Sequence, residues 1–85
     1  MHYVYLLKSL KSNFIYVGST DDLRRRFEEH DKGKELSTKS YKPFKLVYYE
    51  AYNNKQDALL REKKLKHHGS VMGHLKKRVR NSLLQ

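Results

Sequence analysis

The residue pattern predicts an α/β fold in the order β-β-α-β-α-α, a three-stranded antiparallel sheet flanked by helices. Three short runs are rich in β-branched and aromatic residues, the apolar period changes from two to about 3.6 after Gly18, and two later stretches show helix-start residues followed by helical spacing. With 85 residues the chain is expected to form one domain spanning 1–85, because so few apolar side chains cannot stabilise two separate cores.

The first strand is Tyr3-Val4-Tyr5-Leu6-Leu7 and the second Phe14-Ile15-Tyr16-Val17, joined as a hairpin across the polar stretch from Lys8 to Asn13. In Gly18-Ser19-Thr20-Asp21-Asp22 either Ser19 or Thr20 can cap a helix, and the two aspartates suit its positive N-terminal end. The helix is expected to reach about His30. Leu23, Arg26, Phe27 and His30 stand at i, i+3, i+4 and i+7, so Arg26 and His30 share the apolar face and point inward. Arg24, Arg25, Glu28 and Glu29 fall on other faces, free for solvent or for pairing along the helix.

From Asp31 to Lys42 the chain is polar, with Gly33, and Pro43 precedes a third strand over 44–51. Asn53 or Asn54 caps a second helix that has Asp57 in its first turn. Ala58, Glu62 and Leu65 lie at i, i+4 and i+7, which sets a carboxylate between two apolar residues on one stripe. Gly69 and Ser70 interrupt the pattern, and a third, basic helix is expected over 71–83. The hairpin makes three antiparallel neighbours the simplest sheet.

Composition narrows the function. There is no cysteine, so neither a disulfide framework nor a thiolate metal site is available. No run approaches the ~20 apolar residues of a membrane span, the N-terminus lacks signal-peptide character, and a cytoplasmic location is expected. Nineteen Lys and Arg against nine acidic residues leave a formal charge of +10, which attracts polyanions, nucleic acid first. From Arg61 to Arg80 eight Lys or Arg accompany a single acid, Glu62. Lys63, Lys66, Lys76, Lys77 and Arg78 of that stretch, with Lys39 from the loop before the third strand, are the candidate phosphate contacts. The loop residues Ser37, Thr38, Lys39 and Ser40 either touch phosphate or simply connect. His67, His68 and His74 lack convincing metal-ligand spacing and are assigned to the basic surface. Tyr41, Tyr48, Tyr49 and Tyr52 divide between core packing and stacking on unpaired bases.

Two tyrosine motifs carry the most specific information. Tyr3-Val4-Tyr5 is followed ten residues later by Tyr16-Val17-Gly18, then by Arg26 and His30 on one helix and Glu62 on another. Over residues 3–66 this set resembles the GIY-YIG nuclease family. It is most similar to the small stand-alone bacterial members, and also resembles the N-terminal nuclease module of the excision-repair incision protein and the catalytic domains of some homing endonucleases. The resemblance implies a GIY-YIG-like fold and a metal-dependent endonuclease. Tyr5 and Tyr16 take the places of the two motif tyrosines, Gly18 ends the second motif, Arg26 and His30 match the helix arginine and histidine, and Glu62 matches the metal-binding glutamate. Tyr3 stands where the first motif has glycine, and Val4 and Val17 where the motifs have isoleucine, which preserves strand character. The late asparagine that many members carry near the metal has Asn81 as its candidate.

Phosphodiester hydrolysis needs a nucleophilic water, charge neutralisation at phosphorus and help for the departing oxygen. A hard ion, Mg²⁺ or Mn²⁺, prefers oxygen ligands and keeps several waters, so Glu62 plus substrate phosphate suffices for a single divalent ion. Arg26 offers a fixed fork of donors to the scissile phosphate. By the resemblance Tyr16 is the general base and Tyr5 orients it or the water. An ordinary phenol, with a pKa near 10, is a poor base at neutral pH, so neighbours such as Arg26, the ion and His30 must favour the phenolate. His30 as the base is the other assignment. Singly, each residue has an ordinary explanation: tyrosines pack strands, an inward arginine snorkels or pairs, a histidine is structural, and Glu62 can pair with Lys66 at i+4. Their joint order and spacing point to a site.

The expected partner is nucleic acid, DNA or RNA, selected by strand structure more than by base sequence. The alternatives are a catalytically weak or inactive nucleic-acid-binding module of the same fold, and a nuclease that requires a recruiting protein or a homodimer.

Overall fold

A computed structural model describes residues 1–85. Its central strand is β1 (His2–Ser9), flanked antiparallel by β2 (Ile15–Thr20) and β3 (Phe44–Tyr52), so the sheet order is β2-β1-β3. The helices are α1 (Leu23–Asp31), α2 (Lys55–His67), α3 (Gly69–Arg78) and α4 (Arg80–Leu84), with a 3₁₀ turn at Lys39–Tyr41. The expected antiparallel sheet flanked by helices is present. No helix is long and apolar enough to cross a membrane.

β1 is central because its run Val4-Tyr5-Leu6-Leu7 is apolar on both faces, and each of these residues is at most 2% exposed. Alternation along the strand then divides the core. Val4 and Leu6 pack with Val17, Ala58, Leu65, Leu75 and Val79 beneath α2 and α3. Tyr5 and Leu7 pack with Phe44, Tyr16, Leu23 and Phe27 on the α1 face. Burying one such leucine contributes roughly 1.5–3 kcal/mol.

Between Leu6 and Leu7 the pairing with β3 slips. Leu6 opposes Tyr48 while Leu7 opposes Leu46, leaving Val47 as the extra residue of a β-bulge. Val47 and Tyr48 therefore both pack toward α2 and α3. Leu46 and Tyr49 turn to the α1 face, where Leu46 neighbours Leu23 and Phe27 and Tyr49 meets Tyr3.

Ser19 and Thr20, expected as helix caps, are instead part of β2. Thr20 is still paired with Tyr3, so the sheet holds both residues extended and moves the helix start onward. Asp22 is the cap, accepting from the Arg25 backbone N–H at 3.1 Å, while the Thr20 hydroxyl accepts from the Asp22 N–H at 3.1 Å. At the far end Gly33 takes φ +75°, its N–H bonds the His30 carbonyl and the Lys34 N–H reaches the Glu29 carbonyl. This is a Schellman ending, and it folds the next loop back over α1. Asp31 then accepts from the Phe44 N–H at 2.8 Å, and the Ser9 hydroxyl donates to the Tyr41 carbonyl at 2.6 Å, tying both ends of that loop to the sheet.

Asn54 caps α2, accepting from the Gln56 N–H at 2.8 Å. The single third helix expected over 71–83 is two helices, because α3 already begins at Gly69 and the backbone leaves helical geometry at Val79. Val79 is buried in the core, and the bend there returns α4 to β3, where Lys45 donates to the carbonyls of Ser82 and Gln85.

Candidate active site

Gly18 faces Tyr5 across β1 and β2. A Cβ at this position would overlap the Tyr5 hydroxyl and lie 2.6 Å from Tyr5 Cζ and 2.9 Å from Tyr16 Cε2. Space rather than backbone torsion thus requires glycine, since the Tyr5 ring lies across the neighbouring strand. The ring sits 6.2 Å from that of Tyr16, and both lie beside His30, at 5.9 and 4.7 Å between centroids.

His30 enters from the last turn of α1 and is fully buried, as the apolar periodicity requires. Its Nε2 lies 3.0 Å from the Tyr5 hydroxyl and its Nδ1 2.8 Å from Thr38 Oγ1. Thr38, also fully buried, donates to the Glu35 carbonyl at 3.4 Å. With the threonine proton engaged there, the consistent assignment is that Nδ1–H donates to Thr38 and Nε2 accepts from Tyr5. Burial first, then the charge of Arg26, lowers the His30 pKa, which keeps the ring neutral as this chain of bonds needs. Burial likewise raises the Tyr5 pKa despite the adjacent Arg26 guanidinium, so Tyr5 is a proton donor here. Thr38 sits in a stretch that the sequence offers as a phosphate contact or a plain connector. Its role beneath His30 depends on the Schellman turn, a long-range consequence with no local signature.

Arg26 is 27% exposed, and its guanidinium pairs with Glu29 at 3.0 Å and Glu35 at 2.7 Å. The same guanidinium lies against the Tyr5 hydroxyl. Desolvation opposes its charge, but the bonds to Glu35, Glu29 and Tyr5 more than compensate and raise its pKa. Its fork of donors is therefore engaged by carboxylates, and an incoming phosphate has to share or displace them.

Glu62 projects from α2 toward the β2 edge, with its side chain 18% exposed. Oε1 accepts from the Ser19 hydroxyl at 2.8 Å, and Oε2 pairs with the Lys66 ammonium at 2.9 Å. The Lys66 ammonium also stands 5.7 Å from the centre of the Tyr16 ring. The Glu62 charge acts on Tyr5, helping to raise its pKa. Tyr16 is half-buried, and its hydroxyl makes no hydrogen bond within the chain. Tyr5, Tyr16, Arg26 and His30 thus come together on the α1 face, while Glu62 on α2 is bound to Ser19 of β2 and to Lys66, whose ammonium lies near the Tyr16 ring. Ser19 is a second residue whose contact with Glu62 has no local sequence signature, since a hydroxyl before a helix reads equally as a cap.

The basic residues do not form one stripe. Lys66 and Lys76 border a groove of about 490 Å³ between β2 and the α2–α3 pair, with Tyr16 and Met72 in its wall. Arg78, two residues beyond Lys76, turns to the opposite side of α3, beside Arg61 and His74. Lys63 and Lys77 are exposed on α2 and α3, and Lys39 lies in the 3₁₀ turn close to Gly33. Asn81 is exposed on α4 and makes no hydrogen bond to the cluster; α4 packs on α3 and β3. His67, His68 and His74 form no metal-binding group with other ligands.

Comparisons with known proteins show the family and the fold. The model of the GIY-YIG catalytic domain matches residues 1–78. A UPF0213 protein of Clostridium perfringens is 37% identical over the whole chain and 81% of its own length, and one of Staphylococcus haemolyticus is 39% identical over 76% of the chain and 79% of its own. The solution NMR structure of the UPF0213 protein BH0048 from Bacillus halodurans superposes with a TM-score of 0.56 at 32% identity, covering 92% of this chain and 83% of that one. With its two tyrosine motifs paired across β1 and β2 and its sheet flanked by helices on both faces, the chain belongs to the GIY-YIG catalytic-domain family.

Proposed function

We propose that residues 1–85 act as one nuclease domain, a divalent-metal-dependent endonuclease that hydrolyses phosphodiester bonds of DNA or RNA and selects strand structure over base sequence. Members of the family are generally endonucleases that use a divalent metal. The observation that carries the reading is the gathering of Tyr5, Tyr16, Arg26 and His30 on one face of the sheet, with Glu62 anchored to neighbouring Ser19 and its partner Lys66 5.7 Å from the Tyr16 ring.

Within this reading Tyr16, whose hydroxyl has no partner in the chain, faces the attacking water as its phenolate and takes the water's proton to become the neutral phenol. Tyr5 orients that water, and His30 and Thr38 hold the Tyr5 hydroxyl by a buried chain of hydrogen bonds. His30 has both ring nitrogens engaged and no exposure, which favours a positioning role over that of a base. Arg26 steadies the added charge on the phosphate once that phosphate competes with Glu29 and Glu35.

The donor set fits one hard divalent ion. Glu62 supplies two carboxylate oxygens with spare lone pairs, while no trio of His, Cys, Asp and Glu is present, so water and phosphate oxygens would complete the shell. When bound, Mg²⁺ or Mn²⁺ supplies charge neutralisation at phosphorus and a more acidic water. Lys66 has to leave Oε2 for this, and a phosphate is its natural alternative partner. The engagement of Arg26 by two carboxylates favours one other reading, a nucleic-acid-binding module of this fold that does not cut.

The test incubates single-stranded, duplex, flap and RNA substrates with Mg²⁺ or Mn²⁺, comparing the native chain with Glu62→Ala and Tyr16→Phe. Cleavage by the native chain, lost in both variants with binding retained, is the expected result. Undiminished cleavage in both variants excludes the site, and salt-dependent binding without cleavage under any metal establishes the binding module.

A further inference from the structure

We infer that the α1 face of β3, centred on Tyr49, is a stacking platform for an unpaired nucleobase next to the scissile phosphate. The inference rests on the nuclease reading and names the strand state that such a site would take.

Four tyrosines compete for this role, and their surroundings separate them. Tyr48 and Tyr52 donate their hydroxyls to Glu50 on the opposite face of the sheet. Tyr41 is already stacked, its ring 3.9 Å from that of Phe14 and nearly parallel to it. Tyr49 alone keeps an open ring: it is 52% exposed and touched edge-on by Tyr3 at 5.9 Å and 68°. The contact braces the ring, and its exposure leaves ring surface available for stacking.

Position makes the exposure informative. Tyr49 is the register partner of Tyr5, so it lies one strand spacing, about 4.8 Å, from the proposed catalytic tyrosine and on the same face. The β-bulge at Val47 is what puts it there. On the same face of the sheet a cleft of about 560 Å³ opens between α1 and β3, lined by Leu46, Leu23, Phe27, Arg24 and Glu28. Arg24 makes no ion pair, unlike Arg25 and Arg26, and adds to the positive charge of this face. An open aromatic face on a strongly basic chain matches a nucleobase with its phosphates. In a duplex each base is covered by its stacked neighbours, so only a base splayed out of the stack can lie on Tyr49. A second copy of the chain is the other occupant of an apolar patch, and a charge of +10 on each copy opposes it.

The experiment reads binding without cleavage: fluorescence anisotropy of a labelled single-stranded oligonucleotide and of its blunt duplex, in EDTA. Tyr49→Ala is expected to raise the single-strand Kd by about 5- to 150-fold, the loss of one base–aromatic stack, and to change duplex binding little. Tyr49→Phe keeps native affinity. Tyr49→Leu, which retains the apolar contact with Tyr3 but has no π face, falls with the alanine variant and decides the matter should that variant not fold. Native single-strand affinity in the leucine variant, or an equal loss on the duplex, overturns the proposal. So does a dimer in sedimentation velocity that Tyr49→Ala dissolves and the oligonucleotide leaves intact. Because no cutting is measured, a native chain that shows the strand contrast but never cleaves defeats the nuclease reading and leaves the platform standing.

Discussion

Glu50 and Glu62 are two partly buried carboxylates close to tyrosines, and their partners are of opposite kinds. Glu50 on β3 accepts from the hydroxyls of Tyr48 at 2.7 Å and Tyr52 at 2.5 Å, and from the fork of Arg61 at 3.0–3.2 Å. Burial alone would raise its pKa, yet Arg61, Tyr52 and Tyr48 together hold it below the ordinary carboxylate value. Burial and the bond to Glu50 in turn push Tyr52 up to about 12. Every partner is fixed by the fold, so the cluster closes on itself. Glu62 has one serine hydroxyl and one lysine on a side chain 41% exposed, and neither neighbouring tyrosine donates to it. Glutamate, tyrosine and arginine in proximity therefore do not define a site. A site needs lone pairs whose present partner can be exchanged for a ligand.

The largest expected effect tests that distinction directly. Glu62→Ala should lower cleavage by roughly a hundred- to a thousandfold, as loss of a charge-stabilising group does, while the urea midpoint changes by no more than about 0.5 kcal/mol in stability. Glu50→Gln should do the reverse, costing about 2 kcal/mol in urea unfolding through weakened charge-assisted bonds and leaving cleavage near native. If both variants lose activity equally at equal stability, the contrast between the clusters fails.

Next in size is Thr38→Val, which removes the acceptor beneath His30 without changing side-chain size much. Turnover at saturating substrate should fall about tenfold with KM unchanged, and Thr38→Ser should restore it. A valine variant with native turnover would show that the His30–Thr38 bond is only structural.

The smallest effect is a pH dependence that separates the two clusters. His30 is held neutral in the fold, so between its lowered native pKa and the ordinary value near 6.5 the unfolded chain binds more protons. Stability is accordingly full above about pH 6.5 and declines as the pH falls toward the native value. Glu50, whose pKa is also lowered, contributes above its ordinary 4.5 and loses that contribution only at more acid pH. Urea midpoints measured from neutral to acid pH should show two successive losses. His30→Gln should flatten the first and spare the second, and an unaltered first loss in that variant would assign it elsewhere.

Much of this molecule was legible before any coordinates. Val4-Tyr5-Leu6-Leu7 announces a strand buried on both faces, the i, i+3, i+4, i+7 pattern points Arg26 and His30 inward, and two β-rich runs across a polar stretch give the hairpin, whose tyrosine motifs resemble those of the GIY-YIG family. Less legible were the ends of elements and the partners of side chains. Ser19 and Thr20 look like caps because hydroxyls cap helices, but pairing with β1 keeps them extended. The basic stretch looks like one surface, but the turn of α3 sends Lys76 and Arg78 to different sides.

By itself the sequence determined the order of strands and helices, the residues available for chemistry and the sign of the surface charge. These follow from periodicity, propensity and composition, which act over a few neighbouring residues. Tertiary structure alone decided that Thr38 lies under His30, that two carboxylates hold Arg26, that Glu50 is closed by two tyrosines and Arg61 while Glu62 meets Ser19 and Lys66, and that a one-residue bulge brings Tyr49 beside Tyr5. Each of these depends on contacts between segments distant along the chain, where a single turn or register shift redirects every side chain that follows.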